Sequence, residues 1–98
     1  MFYLLKRVDE KQCTLGEKVM VLSDFTGVPA GTKGVVVEIY DEGVMVAWEK
    51  DGKTCDEIKA ALDAGEMVCN ARGFFCDGFS RDELEYLGFE TAKHPKLL

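Results

Sequence analysis

The chain has 98 residues, enough for one domain with a modest core and too few for two. Its 18 acidic against 12 basic residues leave a net charge of −6, which argues against a sequence-independent grip on phosphates and against docking on anionic membranes. No apolar run approaches the ~20 residues that span a bilayer. The opening apolar run precedes Lys6 and Arg7, the reverse of a secretory signal, so the expected compartment is the cytoplasm with its cysteines reduced and disulfides improbable.

In chain order, residues 2–8 favour β structure and suit an added edge strand. Residues 18–22, KVMVL, form a nearly continuous apolar run and predict a strand covered on both faces. Residues 23–33 form a long loop, with Pro29 fixing φ, Gly27 and Gly31 free to take positive φ, and Asp24 and Thr26 able to bond nearby backbone. Residues 34–40, GVVVEIY, are the clearest strand. Val35, Val37 and Ile39 alternate there with Val36, Glu38 and Tyr40. Asp41-Glu42-Gly43 predicts a three-residue hairpin loop with Gly43 left-handed. The return strand, 44–48, places Val44, Val46 and Trp48 on one face.

After a charged loop at 49–52 the period changes. Thr54 and Glu57 make a capping box, and Cys55, Ile58 and Leu62 with Ala61 form one apolar stripe, so a short helix follows, stopped by Gly65. Residues 67–70 and 73–76 read as extended around a turn. Ser80 and Glu83 make a second capping box, with Phe79 and Leu84 placed as a hydrophobic staple and Gly88 placed to end the turn. Tyr86, Leu87 and Phe89 supply apolar surface to dock back. Lys93 to Lys96 reads as a loose tail.

The pattern of 18–22, the loop GVPAGTKG, the hairpin VVVEIYDEGVMVAW and the closing DGFSRDELEYL resembles the SH3-like barrel group. It is similar to small bacterial and phage barrels, and to KOW-related modules, in which a Gly-Thr-x-Gly-x-Val turn starts a strand; here that turn is Gly31-Thr32-Lys33-Gly34-Val35-Val36. The resemblance implies a mainly β, partly open antiparallel barrel of about five strands, with a short helix inserted between the third and fourth. The expected layout is a single domain over 1–98, with a barrel core at 16–48 and 67–91 and a helical insert at 49–66.

Candidate chemistry is sparse. Gly27, Gly31 and Gly34 lead into a strand, not a helix, so they serve turns and do not cradle phosphate. Cys13, Cys55, Cys69 and Cys76 lack the close pairs of a structural zinc site and are weak metal candidates. His94, the sole histidine, has no acidic orienter nearby in sequence. Nothing assembles nucleophile, base and oxyanion donor, so no enzyme and no cofactor is expected.

Seven basic and 11 acidic residues fall in positions 49–98, thickest from Asp77 to Glu90; this reads first as a solvated face and, more sharply, as a docking surface for a basic partner. The expected function is a non-catalytic protein–protein interaction module, an acidic inhibitor or adaptor for a basic partner. Its candidate contacts are Phe25, Tyr40, Trp48, Asp77, Asp82, Glu83 and Glu85. The alternatives are an accessory domain or subunit of a larger enzyme complex and a KOW-like nucleic-acid binder. Lys33 stands alone in the loop that would grip nucleic acid, so that partner is disfavoured. No membrane partner is expected, and either a monomer or a homodimer fits.

Overall fold

In the computed structural model, residues 3–66 and 73–91 are described. They form strands β1 (Tyr3–Leu5), β2 (Lys18–Val21), β3 (Lys33–Tyr40), β4 (Gly43–Trp48), β5 (Phe75–Ser80) and β6 (Leu87–Thr91), and helix α1 (Cys55–Asp63). Two 3-10 turns cover Glu10–Gln12 and Arg81–Tyr86. The strands make one unclosed sheet in the order β1-β6-β2-β3-β4-β5, and every neighbouring pair is antiparallel. Six described strands thus replace the five expected. The sixth is β1, the added edge strand, paired through Tyr3–Thr91 and Leu5–Phe89.

Period-2 alternation decides what each face buries. Val19 and Val21 of β2, Val36 of β3, Val44, Val46 and Trp48 of β4, and Leu87 and Phe89 of β6 point into one core. Val35, Val37 and Ala47 point to the other face, where Cys55, Ile58 and Ala61 of α1 cover them. Burying the fully enclosed Ile58 side chain contributes roughly 1.5–3 kcal/mol. The strands covered on both faces are therefore β3 and β4, not β2. Leu22, just past β2, is 37% exposed, because α1 packs on β3 and stops short of it.

The helix caps sit at the predicted residues, Thr54 and Ser80. Thr54 accepts the Glu57 amide at 3.2 Å, and Gly65, at φ 77°, follows the end of α1. Glu83 Oε1 accepts the Ser80 amide at 3.0 Å, while Phe79 and Leu84 enter the same core. The hairpin differs. Tyr40 pairs directly with Gly43, so the turn has two residues, and Glu42 takes the positive φ of 101°. Gly43 lies inside β4, where a Cβ would meet Phe79 O at 2.5 Å. Gly88 likewise lies inside β6 and does not end a turn; a Cβ there would come within 3.2 Å of Leu4 and Leu22. The extended reading of 67–70 and the tail reading of 93–96 lie outside the described residues. Among the described residues, no helix is long and apolar enough to cross a membrane.

Candidate functional site

The seven candidate contacts do not gather into one surface. Trp48 is fully buried. Its indole N–H donates to Asp77 Oδ2 at 2.9 Å, and Thr26 Oγ1 donates to Asp77 Oδ1 at 2.9 Å. Asp77 therefore links strand β4 to the 23–32 loop and is occupied on both oxygens. That loop is a miniature hairpin in which Phe25 and Val28 exchange amide hydrogen bonds of 2.9 and 2.7 Å, and Asp24 accepts the Ala30 amide at 2.8 Å. Phe25 is half-buried and stacks on Phe79 with centroids 4.5 Å apart. Phe79 meets Trp48 edge-on, and Phe25 meets Tyr86. Glu83 is engaged as a cap. Three of the seven, Tyr40, Asp82 and Glu85, face solvent.

Those three line two grooves that share Arg81. The first, about 470 Å³, runs from Ile39 and Tyr40 past Asp41 and Glu42 to Glu10. The second lies between Arg7 and Val8 on one side and Asp82 and Glu85 on the other. Local chemistry explains how each side chain is placed. The short β3–β4 turn presents Tyr40, Asp41 and Glu42 at the tip of the hairpin. The Glu42 carbonyl accepts the Arg81 amide at 2.7 Å and so joins that tip to the 3-10 turn. The 3-10 turn projects Asp82 and Glu85 outward while burying Leu84. Asp9 accepts the Lys11 amide at 2.9 Å, starting the turn that delivers Glu10 inward.

Electrostatics at the face are set by a few contacts. Arg81 Nε donates to Glu10 Oε1 at 2.9 Å, with Nη2 2.7 Å from the same oxygen. This carboxylate, with nearby Asp9 and Glu42, raises the Arg81 pKa further. Arg7 bonds Glu17 and lies over the Phe89 ring. Hydrogen bonding to Glu10 and to the Lys11 amide holds the Asp9 carboxyl below its usual range. The Glu38 carboxylate beside the Tyr40 hydroxyl, helped by desolvation, pushes that phenol up to about 12, so the ring stays neutral at physiological pH.

The cysteines separate. Cys13 enters the inner core and Cys55 the outer one, on opposite faces of the sheet. Burial pushes the Cys13 thiol up; burial, with Glu49 beside it, pushes the Cys55 thiol up to about 12. Both therefore stay as thiols at neutral pH, and they cannot share one ion. Cys13 and Cys55 are free, but Cys76 is disulfide-bonded, which corrects the expectation of reduced thiols at that position; the expectation followed from an assumed compartment and not from geometry. Cys69 and His94 lie outside the described residues. Among the described residues, no group of three or more His, Cys, Asp or Glu side chains is placed to hold a metal.

Comparison with family models, curated proteins and solved structures finds no match.

Ile39, Asp41, Glu42, Glu10 and Arg81 belong to the candidate face although sequence reasoning did not single them out. Asp41 and Glu42 were legible only as a turn. Glu10 and Arg81 are 71 positions apart and meet only through the fold.

Proposed function

We propose that this chain is a non-catalytic protein-interaction module of the SH3-like type, which docks a basic segment of a partner protein along its Arg81-centred grooves. The order of elements supports the type. A long loop follows β2, a hairpin joins β3 to β4, and a 3-10 turn links β5 to a last strand that returns to pair with β2. The helix between β4 and β5 and the edge strand β1 are additions to that plan.

One observation carries the docking reading. Exposed apolar side chains, Ile39 at 38% and Tyr40 at 45%, adjoin the solvent-facing carboxylates Asp41, Glu42, Asp82 and Glu85 on connected grooves. Two of the cations there, Arg7 and Arg81, are already held by Glu17 and Glu10. The surplus charge is negative, which favours encounter with a positive partner and penalises negative ones. The apolar wall gives the stems of long basic side chains a surface to cover.

The test is affinity purification with the wild-type chain and the Asp82→Lys/Glu85→Lys variant, chosen because neither side chain serves the fold as Glu83 does. The wild type should capture a partner through a Lys/Arg-rich segment and release it as salt rises. The variant should lose it. Equal recovery by both, or capture insensitive to salt, sinks the reading.

A further inference from the structure

The sheet ends in β1 on one side and β5 on the other, and the two edges differ. β1 has three residues and runs straight into Lys6 and Arg7, a short, charged edge of the kind that resists pairing. β5 has six residues, Phe75–Ser80. Its single charge, Asp77, is bonded to Trp48 and Thr26, and Gly78 is exposed and carries no side chain.

Hydrogen-bond parity shows which main-chain groups of β5 are open. The Arg81 amide donates to the Glu42 carbonyl, and in an antiparallel ladder bonded pairs alternate with non-bonded ones. The register pairs Gly43 with Ser80, Val44 with Phe79 and Met45 with Gly78. Phe79 and Asp77 therefore turn their N–H and C=O groups to β4, and Gly78 turns both away from it. The Ser80 amide also points away and is taken by Glu83 Oε1. Among the described residues, the Gly78 N–H and C=O have no hydrogen-bond partner. Neither neighbouring element lies along this edge. Helix α1 packs on β3, two strands in, and the 3-10 turn leaves across the inner face, where Leu84 is buried.

We propose that β5 pairs antiparallel with β5 of a second copy of this chain, about a two-fold axis at Gly78. The two Gly78 residues then exchange N–H···O=C hydrogen bonds, and the sheets of the two copies become continuous. The proposal does not rest on the docking reading above.

A second copy fits because the edge is complementary to itself. Antiparallel pairing about Gly78 sets each end of the strand beside the opposite end of the other copy. The Phe74–Phe75 end is cationic: Lys50 Nζ lies 4.0 Å from the Phe75 ring centroid and Lys53 Nζ 5.2 Å from that of Phe74. The Ser80 end leads into the solvent-facing Asp82. In this register Phe74, with Lys53 over its ring, falls opposite Asp82 of the second copy, and the symmetry makes that contact twice. One strand from each copy is a small interface, so the dimer is weak and reversible.

The test is analytical ultracentrifugation of the full chain over a concentration series into the millimolar range. Physiological ionic strength screens charges more than about 8 Å apart. The wild type should show a monomer–dimer equilibrium with nothing larger. Gly78→Pro removes the outward N–H at a position where an edge strand tolerates proline, and should weaken the dimer about tenfold or more. Gly78→Ala keeps the N–H, and its Cβ would meet Met45 Cε at an ordinary 3.7 Å, so it should dimerise like the wild type. If Gly78→Pro does not fold, the charges decide. Lys53→Glu and Asp82→Lys should each weaken the dimer about threefold or more, and the two together should restore it. A wild type that stays monomeric overturns the proposal. So does a folded Gly78→Pro variant that dimerises like the wild type, or a double charge variant no tighter than the single ones.

Discussion

The Trp48 indole N–H donates to the Asp77 carboxylate across 2.9 Å, and the other oxygen of Asp77 receives the Thr26 hydroxyl. The residue that looked most like an exposed acid on β5 is therefore the acceptor for the largest side chain of the core. Asp77→Ala leaves a fully buried indole donor without its partner, a loss of about 1–3 kcal/mol. Asp77→Asn keeps an acceptor for Trp48 and should cost less. Chemical denaturation of the three proteins checks the order, and equal stability of wild type and Asp77→Ala would contradict it.

The Glu10–Arg81 pair predicts an asymmetry between single and double variants. Arg81→Ala strands a carboxylate whose side chain is 3% exposed, and an enclosed charge without its counter-ion is destabilising. Glu10→Gln combined with Arg81→Ala removes that charge. The double variant should therefore melt above Arg81→Ala alone. A double variant that melts lower, as additive losses would make it, contradicts this account.

What the sequence showed and what it hid follow the range of each interaction. The α1 stripe and the caps at Thr54 and Ser80 were legible because each depends on neighbours within four positions; the β3–β4 hairpin was legible from its alternation, although its turn is one residue shorter than expected. The cross-chain partners were not. Nothing near Trp48 in sequence announces Asp77, and nothing near Glu10 announces Arg81. The edge position of β1, beyond β6, appears only once β6 is seen to pair on both sides.

Glycines show the same limit, and yield a prediction. Gly31 and Gly34 belong to one motif, yet they serve different ends. Gly31 sits in the loop at φ 92° with open space around it, so Gly31→Ala pays only the left-handed penalty of roughly 1–2 kcal/mol. At Gly34 a Cβ would lie 2.6 Å from Ala47 O and 2.7 Å from Trp48 Cε3. Neither atom can move without shifting β4 or the core indole. Gly34→Ala should therefore be the more destabilising, at about 3 kcal/mol. Equal denaturation midpoints for the two variants would contradict the close-approach role.

Cys55 gives the fold a distinct alkaline limit. Its thiol is 4% exposed, beneath α1. Desolvation comes first, with the Glu49 carboxylate adding to it, in pushing its pKa from an ordinary value near 9 to about 12. The folded chain therefore keeps a proton that the unfolded chain has released within that window. Where the folded state binds more protons, stability falls as pH rises. The contribution is present in full below pH 9 and is lost progressively towards pH 12. Tyr40 acts in the same direction between 10 and about 12, but at 45% exposure solvent screens much of its effect. Stability measured by denaturant against pH should thus decline in the wild type with an uptake difference of about one proton more than in Cys55→Ala. The variant carries the cost of a lost sulfur at every pH, so its absolute stability is not the readout; the slope is. Parallel slopes for the two proteins between pH 9 and 12 would show that the thiol ionises as easily folded as unfolded, and that α1 does not seal the outer face of β3.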